Sequence, residues 1–353
     1  LQRHPTIHAN PYSEAFWYQV RKAFVLPKNY FHFNTGTTGT MPLFSMRNLA
    51  VYNYFKSADP RDWEANMHEA FPNLFPLGSL LGFLQTGVIP RQQAVAAAYG
   101  ANDDEILLSY NTTDALNLIF SGTPWNPGDR IVTTNLEHAA AQGPMAWARD
   151  YRGVTVAIVD LPSNFTSAIT KEQVLALFQA EFSKPLPAGG KQYLVTSEIF
   201  YKNGLRLPVK ELSQLAKRYG AFTIYDTAHG WGQIPIDCHD YEADFIAGAG
   251  HKWLCGGPGT GICYIRNSGD NLPPMAPGNF LLYGDQFTAP SPLYDTRNWP
   301  PNAYMQLRGE YNTPALYAMT DSLSFFKHVG LRRIYKRGVE LAKYLQRKVI
   351  ERW

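Results

Sequence analysis

The sequence has few cysteines, few charged residues and no long apolar run. Its three cysteines, Cys238, Cys255 and Cys263, are too few for a disulfide scaffold, and none pairs in the C-x-x-C spacing of a zinc knuckle. No apolar segment approaches the ~20 residues that a helix needs to cross a bilayer. Lys plus Arg exceeds Asp plus Glu by only 32 − 29 = 3, without a basic run. We therefore expect no nucleic-acid partner and no membrane association.

What the sequence does contain is enough apolar material for a sizeable core. Hydrophobic residues make up 45% of the 353 residues and charged residues 17%, which is typical of a folded chain. After about residue 103, short apolar runs alternate with helical stretches. We predict seven strands, at 106–108, 130–132, 154–159, 193–195, 221–225, 244–246 and 261–265. Helices are predicted to begin near Asp114, His138, Lys171 and Val209. This alternation predicts an α/β fold whose mostly parallel sheet is covered by helices on both faces.

Composition divides the chain into three predicted parts. Residues 1–45 are rich in aromatic residues, proline and glycine, and they predict an irregular N-terminal arm. Residues 46–312 are predicted to form the large domain, which opens with helical segments that prolines interrupt. Residues 313–353 have a helical pattern and predict the start of a small C-terminal domain.

Polar residues follow several of the predicted strands, where ligands of open α/β sheets bind. After the first strand, Thr112 and Thr113 open a helix, where hydroxyls and free N–H groups can bind phosphate or simply cap the helix. After the second strand, His138 has a flat ring that can stack on a planar ligand or cap a helix. Asp226 ends the fifth strand, where an acid needs a partner or a cation, or else caps the next turn.

Lys252 follows the sixth predicted strand among small and apolar neighbours, next to His251. Burial would lower the pKa of its amine from the usual ~10.4 and leave a neutral amine that forms Schiff bases. The alternative is a lysine that extends to solvent. Phosphate donors, a stacking ring, an acid and an amine are together what pyridoxal 5′-phosphate (PLP) needs. The glycines at 256–261 precede a strand and no helix, so they do not fit a dinucleotide-binding loop.

From about residue 30 to residue 318, the chain resembles the class V aminotransferase family of fold-type I PLP-dependent enzymes, and within it the isopenicillin N epimerase-like branch. The motifs that carry the resemblance are Asn-Thr-Gly-Thr-Thr-Gly at 34–39, Asn-Thr-Thr at 111–113, Asn-Pro-Gly-Asp-Arg at 126–130, Glu-His at 137–138, Asn-Gly at 203–204 with Leu-Pro-Val at 207–209, Asp-Thr-Ala-His-Gly at 226–230, His-Lys-Trp at 251–253 and Gly-Pro-Gly-Thr-Gly at 257–261. The resemblance implies a seven-stranded, mostly parallel sheet between helices. It also implies a small C-terminal α+β domain, of which we expect this sequence to hold only the beginning.

The resemblance implies a role for each matching residue. Lys252 would hold PLP as a Schiff base and then move protons at the substrate α-carbon. Asp226 would pair with the ring nitrogen, while His138 would stack on one ring face and Ala228 would pack on the other. The residues implied to contact the phosphate or the ring hydroxyl are Thr112, Thr113, Tyr201, His229, His251 and Thr260.

Two further implications concern the substrate and the assembly. Asn34 lies where family members approach the substrate carboxylate. Thr260 matches a residue that completes the phosphate site of the neighbouring subunit, so a homodimer with shared sites is implied. The sequence also departs from the family pattern. Ala249 replaces a serine, residues 198–204 replace a small polar segment, and Asn312 stands where the branch has an arginine. Substrate recognition is therefore expected to differ from that of the penicillin-pathway enzyme.

The resemblance implies an enzyme that acts at the α-carbon of an amino acid, or of an amino-acid residue in a larger molecule, through an external aldimine. It does not choose among transamination, epimerisation, lyase chemistry and decarboxylation. Some members of the branch tailor peptide siderophores such as pyoverdine in the bacterial periplasm. That role and location, after removal of an export signal, are one expectation, and a cytoplasmic location is the other.

Three other interpretations stay open. A cysteine desulfurase or lyase of the same family would need a nucleophilic cysteine late in the chain, and no cysteine follows Cys263. A metallohydrolase would use Asp226, His229 and His251 as ligands, although no H-x-x-x-H pair supports it. A PLP-fold binding module without catalysis is disfavoured because Lys252 and Asp226 are both present.

Overall fold

A seven-stranded sheet organises the structure, a computed structural model that describes residues 1–71, 90–164, 168–275, 301–306 and 312–353. The strands are β1 (Ile106–Ser109), β2 (Arg130–Thr134), β3 (Thr155–Val159), β4 (Gln192–Ser197), β5 (Ala221–Asp226), β6 (Phe245–Ala249) and β7 (Gly261–Ile265). Their spatial order is β1-β7-β6-β5-β4-β2-β3. Strand β7 is antiparallel to both of its neighbours, and the other pairs are parallel. The predicted seven strands and mostly parallel sheet are confirmed.

Helices cover both faces of this sheet. Within the described residues, the helices in chain order are α1 (Glu14–Lys22), α2 (Leu43–Ala58), α3 (Trp63–Ala70), α4 (Pro90–Tyr99), α5 (Thr112–Gly122), α6 (Ala139–Arg152), α7 (Lys171–Phe182), α8 (Val209–Arg218), α9 (Pro301–Gln306), α10 (Thr313–Val329) and α11 (Leu331–Arg352). Alternate strand residues face two separate apolar cores, because successive side chains of a strand point to opposite faces. Leu107 and Ile131 pack with α5 and α6 on one face. Ile106 and Val132 pack with α4, α7, α8 and α10 on the other.

Local capping explains where the helices begin. Thr170 caps α7 in a reciprocal capping box with Gln173, so this helix begins at the predicted residue. Helix α5 begins two residues before the predicted Asp114, because the Asn111 side chain accepts the N–H of Asp114 and is itself the cap. His138 caps α6 in the same way, so that helix begins one residue later than predicted.

The N-terminal segment is not irregular throughout, because α1 lies within it. Ser13 caps this helix and Phe16 is buried against the core. At the other end of the chain, α10 packs against α2 and α4, and Gly330 separates it from α11 with a φ of +98°. The proposed limits of the three parts stay a prediction. In the described part of the chain, no helix is both long and apolar enough to cross a membrane.

Candidate active site

A cleft of about 590 Å³ opens at the carboxyl ends of the parallel strands, where this fold class binds its ligands. It is lined by Asn34, Gly36, Thr37, Asn111, Thr112, Thr113, His138, Ala140, Ser197, Ile199, Tyr201, Asp226, Ala228, His229, His251 and Lys252. Six separate chain segments therefore converge on one site. The structure brings together every predicted site residue except Thr260.

Asp226 lies on the floor of the cleft as the last residue of β5. Its side chain is buried, and Oδ1 accepts the N–H of Ala228 at 2.9 Å. The β-sheet fixes its position, because Asp226 pairs with Ser197 of β4 and Ala247 of β6. Burial raises the pKa of this carboxyl, while the charge of Lys252 acts in the opposite direction. A cation placed beside Asp226 would favour its ionised form.

Lys252 lies three residues beyond the end of β6, with its side chain half-buried in the cleft. Burial lowers the pKa of its amine, and the carboxylate of Asp226 opposes that shift. Within the described ranges, no carboxylate oxygen lies within 4.0 Å of its Nζ. The lowered pKa favours the neutral form of this amine, which is the form that acts as a base or nucleophile.

Gly39 holds the N-terminal segment against the loop that contains Lys252. Its N–H donates to the carbonyl oxygen of His251 at 2.8 Å. A Cβ at this position would lie 2.0 Å from the carbonyl oxygen of Lys252, so no larger residue fits this backbone contact. The contact brings Asn34 and Thr37 into the wall of the cleft.

The N-terminus of α5 provides the features of a phosphate site. The Thr112 hydroxyl is buried and has no hydrogen-bond partner within the described residues. Thr113 lies beside it in the wall, and the first N–H groups of α5 carry the positive end of the helix dipole. A buried hydroxyl without a partner costs free energy unless a ligand accepts it. The residues present therefore fit the phosphate of PLP, as Asp226 and Lys252 fit its ring nitrogen and its aldehyde.

Two histidines in the cleft are held in defined tautomers. His138 Nδ1 accepts the N–H of Ala140 at 3.1 Å, which leaves its proton on Nε2. Its ring meets the ring of Tyr201 edge to face, with centroids 5.0 Å apart. His229 Nδ1 accepts the indole N–H of Trp253 at 3.1 Å. Burial lowers the pKa of His229 to about 4, so this ring is neutral and can donate from Nε2.

Thr260 does not line the cleft, but His251, which lies next to Thr260, does. The Thr260 side chain is buried and its hydroxyl donates to the carbonyl oxygen of Gly257 at 2.7 Å. His251, which does line the cleft, has its Nδ1 3.4 Å from the Thr260 carbonyl oxygen, and burial lowers the pKa of His251. The role of Thr260 toward a second subunit stays a prediction.

Sequence reasoning gave no role to two polar residues at this site, Glu137 and Ser197. Ser197 lines the cleft as the last residue of β4, two residues beyond the end predicted for that strand. Glu137 is buried next to His138 and accepts hydrogen bonds from Ser197. The rule that pointed to Asp226, a polar residue at a strand end, applies equally to Ser197.

The mouth of the cleft is more exposed than its floor. Tyr201 is 50% exposed, in a turn closed by the bridge between Ile199 and Arg206. Asn34 is also exposed, and its side-chain oxygen accepts the hydroxyl of Thr37 at 2.9 Å. Asn312, predicted to replace a substrate-binding arginine, caps α10, while positions 307–311 next to it lie outside the described residues.

Metal and thiol chemistry find little support in the described residues. No three His, Cys, Asp or Glu side chains in those ranges come together to hold a metal ion, so Asp226, His229 and His251 do not form a ligand set. All three cysteines fall within the described ranges and are buried, and none of them lines the cleft. Burial raises the pKa of the Cys255 thiol to about 12, which disfavours the reactive thiolate.

The chain belongs to the class V aminotransferase family, whose model matches residues 86–352. A probable cysteine desulfurase of Methanothermobacter thermautotrophicus is 26% identical over 267 residues, which cover 73% of this chain and 60% of that protein. Hercynylcysteine sulfoxide lyase of Schizosaccharomyces pombe is 22% identical, over 90% of this chain and 74% of the relative. Isopenicillin N epimerase of Streptomyces clavuligerus is 24% identical, over 71% and 57%. The chain thus spans about 60% of the length of the first curated relatives.

Solved structures share the fold. C-DES with glycine covalently linked to its PLP cofactor superposes with a TM-score of 0.73, at 20% identity, over 93% of this chain and 79% of that one. Apo cysteine desulfurase from Thermococcus onnurineus NA1 gives a TM-score of 0.71, also at 20% identity, over 95% and 76%. The fold-type I architecture is therefore confirmed. The chain therefore belongs to a PLP-dependent enzyme family, and the residues of its cleft fit PLP as the cofactor.

Proposed function

We propose that this enzyme makes and breaks bonds at the α-carbon of an amino acid, with Lys252 as the group that carries the proton. The observation that carries the proposal is that a half-buried amine, Lys252, and a buried carboxyl group, Asp226, line the same cleft. When bound, PLP supplies an electron sink that weakens the bonds to the substrate α-carbon. Asp226 would hold the ring nitrogen, and Thr112 with the start of α5 would hold the phosphate.

Lys252 does the proton chemistry in this proposal. Because burial lowers the pKa of its amine, a larger fraction of Lys252 is neutral and able to accept a proton near neutral pH. His138 and Ala228 line the cleft beside Asp226 and would fix the plane of the cofactor ring. His229, neutral and with its Nε2 proton available, would donate a hydrogen bond to an oxygen of the bound ligand.

The relatives described above differ in the reaction that follows proton removal: they are named as cysteine desulfurase, sulfoxide lyase and epimerase. A desulfurase that attacks sulfur with its own cysteine finds no support in Cys238, Cys255 or Cys263, because all three are buried away from the cleft. Epimerisation and elimination both begin with removal of the α-proton, which Lys252 can accept; epimerisation then needs only a proton returned to the opposite face, whereas elimination also needs a leaving group that departs from the β-carbon. We therefore place epimerase-type proton exchange first. Lyase chemistry on a sulfur-containing amino acid is the second candidate, supported by the similarity to a sulfoxide lyase along 90% of this chain.

The open mouth supports a substrate that extends beyond a single amino acid. Tyr201 is 50% exposed there, and Phe33, the neighbour of Asn34 in the sequence, is 86% exposed. Aromatic surface of this kind can contact a larger molecule. We also propose that the enzyme acts on an amino-acid residue of a peptide such as a siderophore. A periplasmic location and a homodimer with shared sites are further proposals, and all three rest on the family resemblance.

Exchange of the substrate α-hydrogen in deuterated water tests the proposal. The PLP-loaded protein is mixed with a panel of amino acids and short peptides, and incorporation of deuterium is followed by mass spectrometry. Parallel assays for changed stereochemistry, keto acid, carbon dioxide and sulfide assign the reaction. We expect exchange with at least one compound in the wild type and its loss in Lys252→Ala. Exchange of equal rate in Lys252→Ala would contradict the proposal.

A further inference from the structure

Glu137 lies under the floor of the cleft and has no role in the proposed reaction so far. Its side chain is 1% exposed. One carboxylate oxygen, Oε1, accepts the hydroxyls of Thr134 at 2.7 Å and Thr196 at 2.8 Å. The other, Oε2, accepts both the N–H and the hydroxyl of Ser197, at 2.9 Å and 2.7 Å. Four donors therefore point at a single buried carboxyl group.

This arrangement suits a negative charge. Hydrogen bonds to a carboxylate favour its ionised form, and four of them are more than a protonated carboxyl could accept without turning one donor away. Burial acts in the opposite direction and raises the pKa of Glu137 to about 7. In the described part of the chain, no Lys, Arg or His nitrogen lies within 4.0 Å of Glu137. Its charge is thus balanced by dipoles and not by a contacting cation.

The same hydrogen bonds connect Glu137 to the cofactor-binding residues. Ser197 pairs in register with Asp226, so Glu137 acts on the strand end next to that carboxylate. The repulsion between the two carboxylates contributes to the raised pKa of Glu137. Of the other ionisable groups here, Lys252 and His138 act to lower the pKa of Asp226. His229 is neutral because burial lowers its pKa to about 4. Two carboxyl groups, those of Glu137 and Asp226, therefore share one buried region.

We propose that Glu137 is a positioning residue that acts through Asp226, fixing the end of β4 and adding a second negative charge that keeps the bound PLP protonated. The inference rests on the proposed function, because it requires PLP beside Asp226. An anion stabilises the protonated form of any neighbouring group. Removing the charge of Glu137 should therefore lower the pH at which bound PLP loses the proton that its visible absorption reports. It should also weaken the binding of PLP.

Glu137→Gln tests this with little disturbance of packing. The amide oxygen can still accept both donors of Ser197, and the amide nitrogen can donate to the hydroxyls of Thr134 and Thr196, which also accept. Two properties are measured: the PLP dissociation constant at pH 8, by fluorescence, and the pH midpoint of the visible absorption of bound PLP. We expect the midpoint to fall by about one pH unit and PLP to bind about tenfold more weakly.

Glu105→Gln is the matched control. Glu105 is equally buried and accepts hydrogen bonds from several donors, including the N–H of Asn102, but it precedes β1 and does not line the cleft. Glu105→Gln should lower thermal stability and leave the midpoint of bound PLP unchanged. Thr196→Val provides a second variant if Glu137→Gln does not fold. It removes one donor, so the midpoint should move in the same direction by a smaller amount.

The outcomes separate the inference from the proposed function. A wild type that binds no PLP overturns the proposed function, and the inference falls with it. A wild type that binds PLP, together with an unchanged midpoint in Glu137→Gln, overturns only the inference. An equal shift in Glu105→Gln would also overturn it, because the effect would then come from lost stability and not from charge near Asp226.

Discussion

The floor of the cleft and its mouth are built in different ways. On the floor, Asp226 is 4% exposed and its position follows from its register with two neighbouring strands. At the mouth, Tyr201 is 50% exposed in a turn, and Asn34 is held mainly by Thr37. The floor resists change because both the sheet and the core fix it. We infer that the floor determines the chemistry, and that the mouth determines the substrate.

Asp226→Asn should have the largest effect, because it removes a charge from the floor while keeping the shape. An amide cannot hold a protonated ring nitrogen as a carboxylate does, so turnover of the PLP-loaded enzyme should fall by about 100-fold or more. The comparison is made at saturating PLP, with steady-state kinetics on the substrate found by hydrogen exchange. A fall of only a few-fold would mean that the floor is not what determines the chemistry.

The same variant makes a prediction about pH and stability. Burial raises the pKa of Asp226 in the folded, PLP-free protein, so its contribution to stability is present at low pH and is lost as pH rises through that pKa. Asp226→Asn should therefore equal or exceed the PLP-free wild type in free energy of unfolding at pH 7. Urea unfolding checks this, and a strong loss of stability would contradict it.

Gly39→Ala should break the connection between the floor and the N-terminal segment. Its Cβ would meet the carbonyl oxygen of Lys252, a backbone atom that cannot easily move, so we expect a loss of ~2 kcal/mol in unfolding free energy. Gly338→Ala is the matched control, because nothing lies within 4 Å of the added Cβ on helix α11. That variant should gain about 0.5–1 kcal/mol. Equal thermal midpoints for the two variants would contradict the described contact.

His229 should make the floor sensitive to acid. Its pKa is lowered from 6.5 to about 4, so its contribution to stability is present above pH 6.5 and is lost as pH falls from there toward 4. His229→Asn keeps an acceptor for the Trp253 indole and cannot take up a proton. Its stability should fall less steeply than that of the wild type across this range. Parallel curves from urea unfolding at several pH values would disprove the assignment.

Tyr201→Phe should have the smallest effect on the chemistry and so sharpen the contrast with Asp226. Loss of an exposed hydroxyl at the mouth should leave PLP binding within about threefold of the wild type, because a surface substitution changes little that is buried. The change should show instead in KM for the substrate. A Tyr201→Phe variant that lost PLP as completely as Asp226→Asn would place Tyr201 on the floor.

The sequence was sufficient for the sheet and for the main residues of the floor. Strands end where apolar runs end, and in parallel sheets those ends meet at one edge, so Asp226 and Lys252 could be placed from the order of the chain alone. The prediction for Thr112 also needed only a helix start after a strand. These features depend on local patterns, and the mostly parallel α/β sheet that the patterns predict is confirmed. The fold-type I architecture, which the family resemblance implies, is confirmed as well.

Other features depend on which strands become neighbours, and one sequence does not show that. The bonds of Glu137 to Thr196 and Ser197 exist because β2 lies next to β4 and not next to β1. The role of Thr260 came from the family motif and stays a prediction; in this chain its hydroxyl donates to the carbonyl oxygen of Gly257 within the same loop. Helix α1 was not foreseen, because its aromatic residues resemble those of the irregular segments around it.

The most direct test of the account is to find where PLP attaches. The purified, PLP-loaded protein is reduced with borohydride and digested, and the modified peptide is identified by mass spectrometry, with Lys252→Ala treated in parallel. The account predicts a visible absorption band that disappears on reduction, and a single PLP-labelled residue, Lys252. A protein without that band, or a label on any other lysine, would contradict the claim that the chemistry resides on the floor of this cleft.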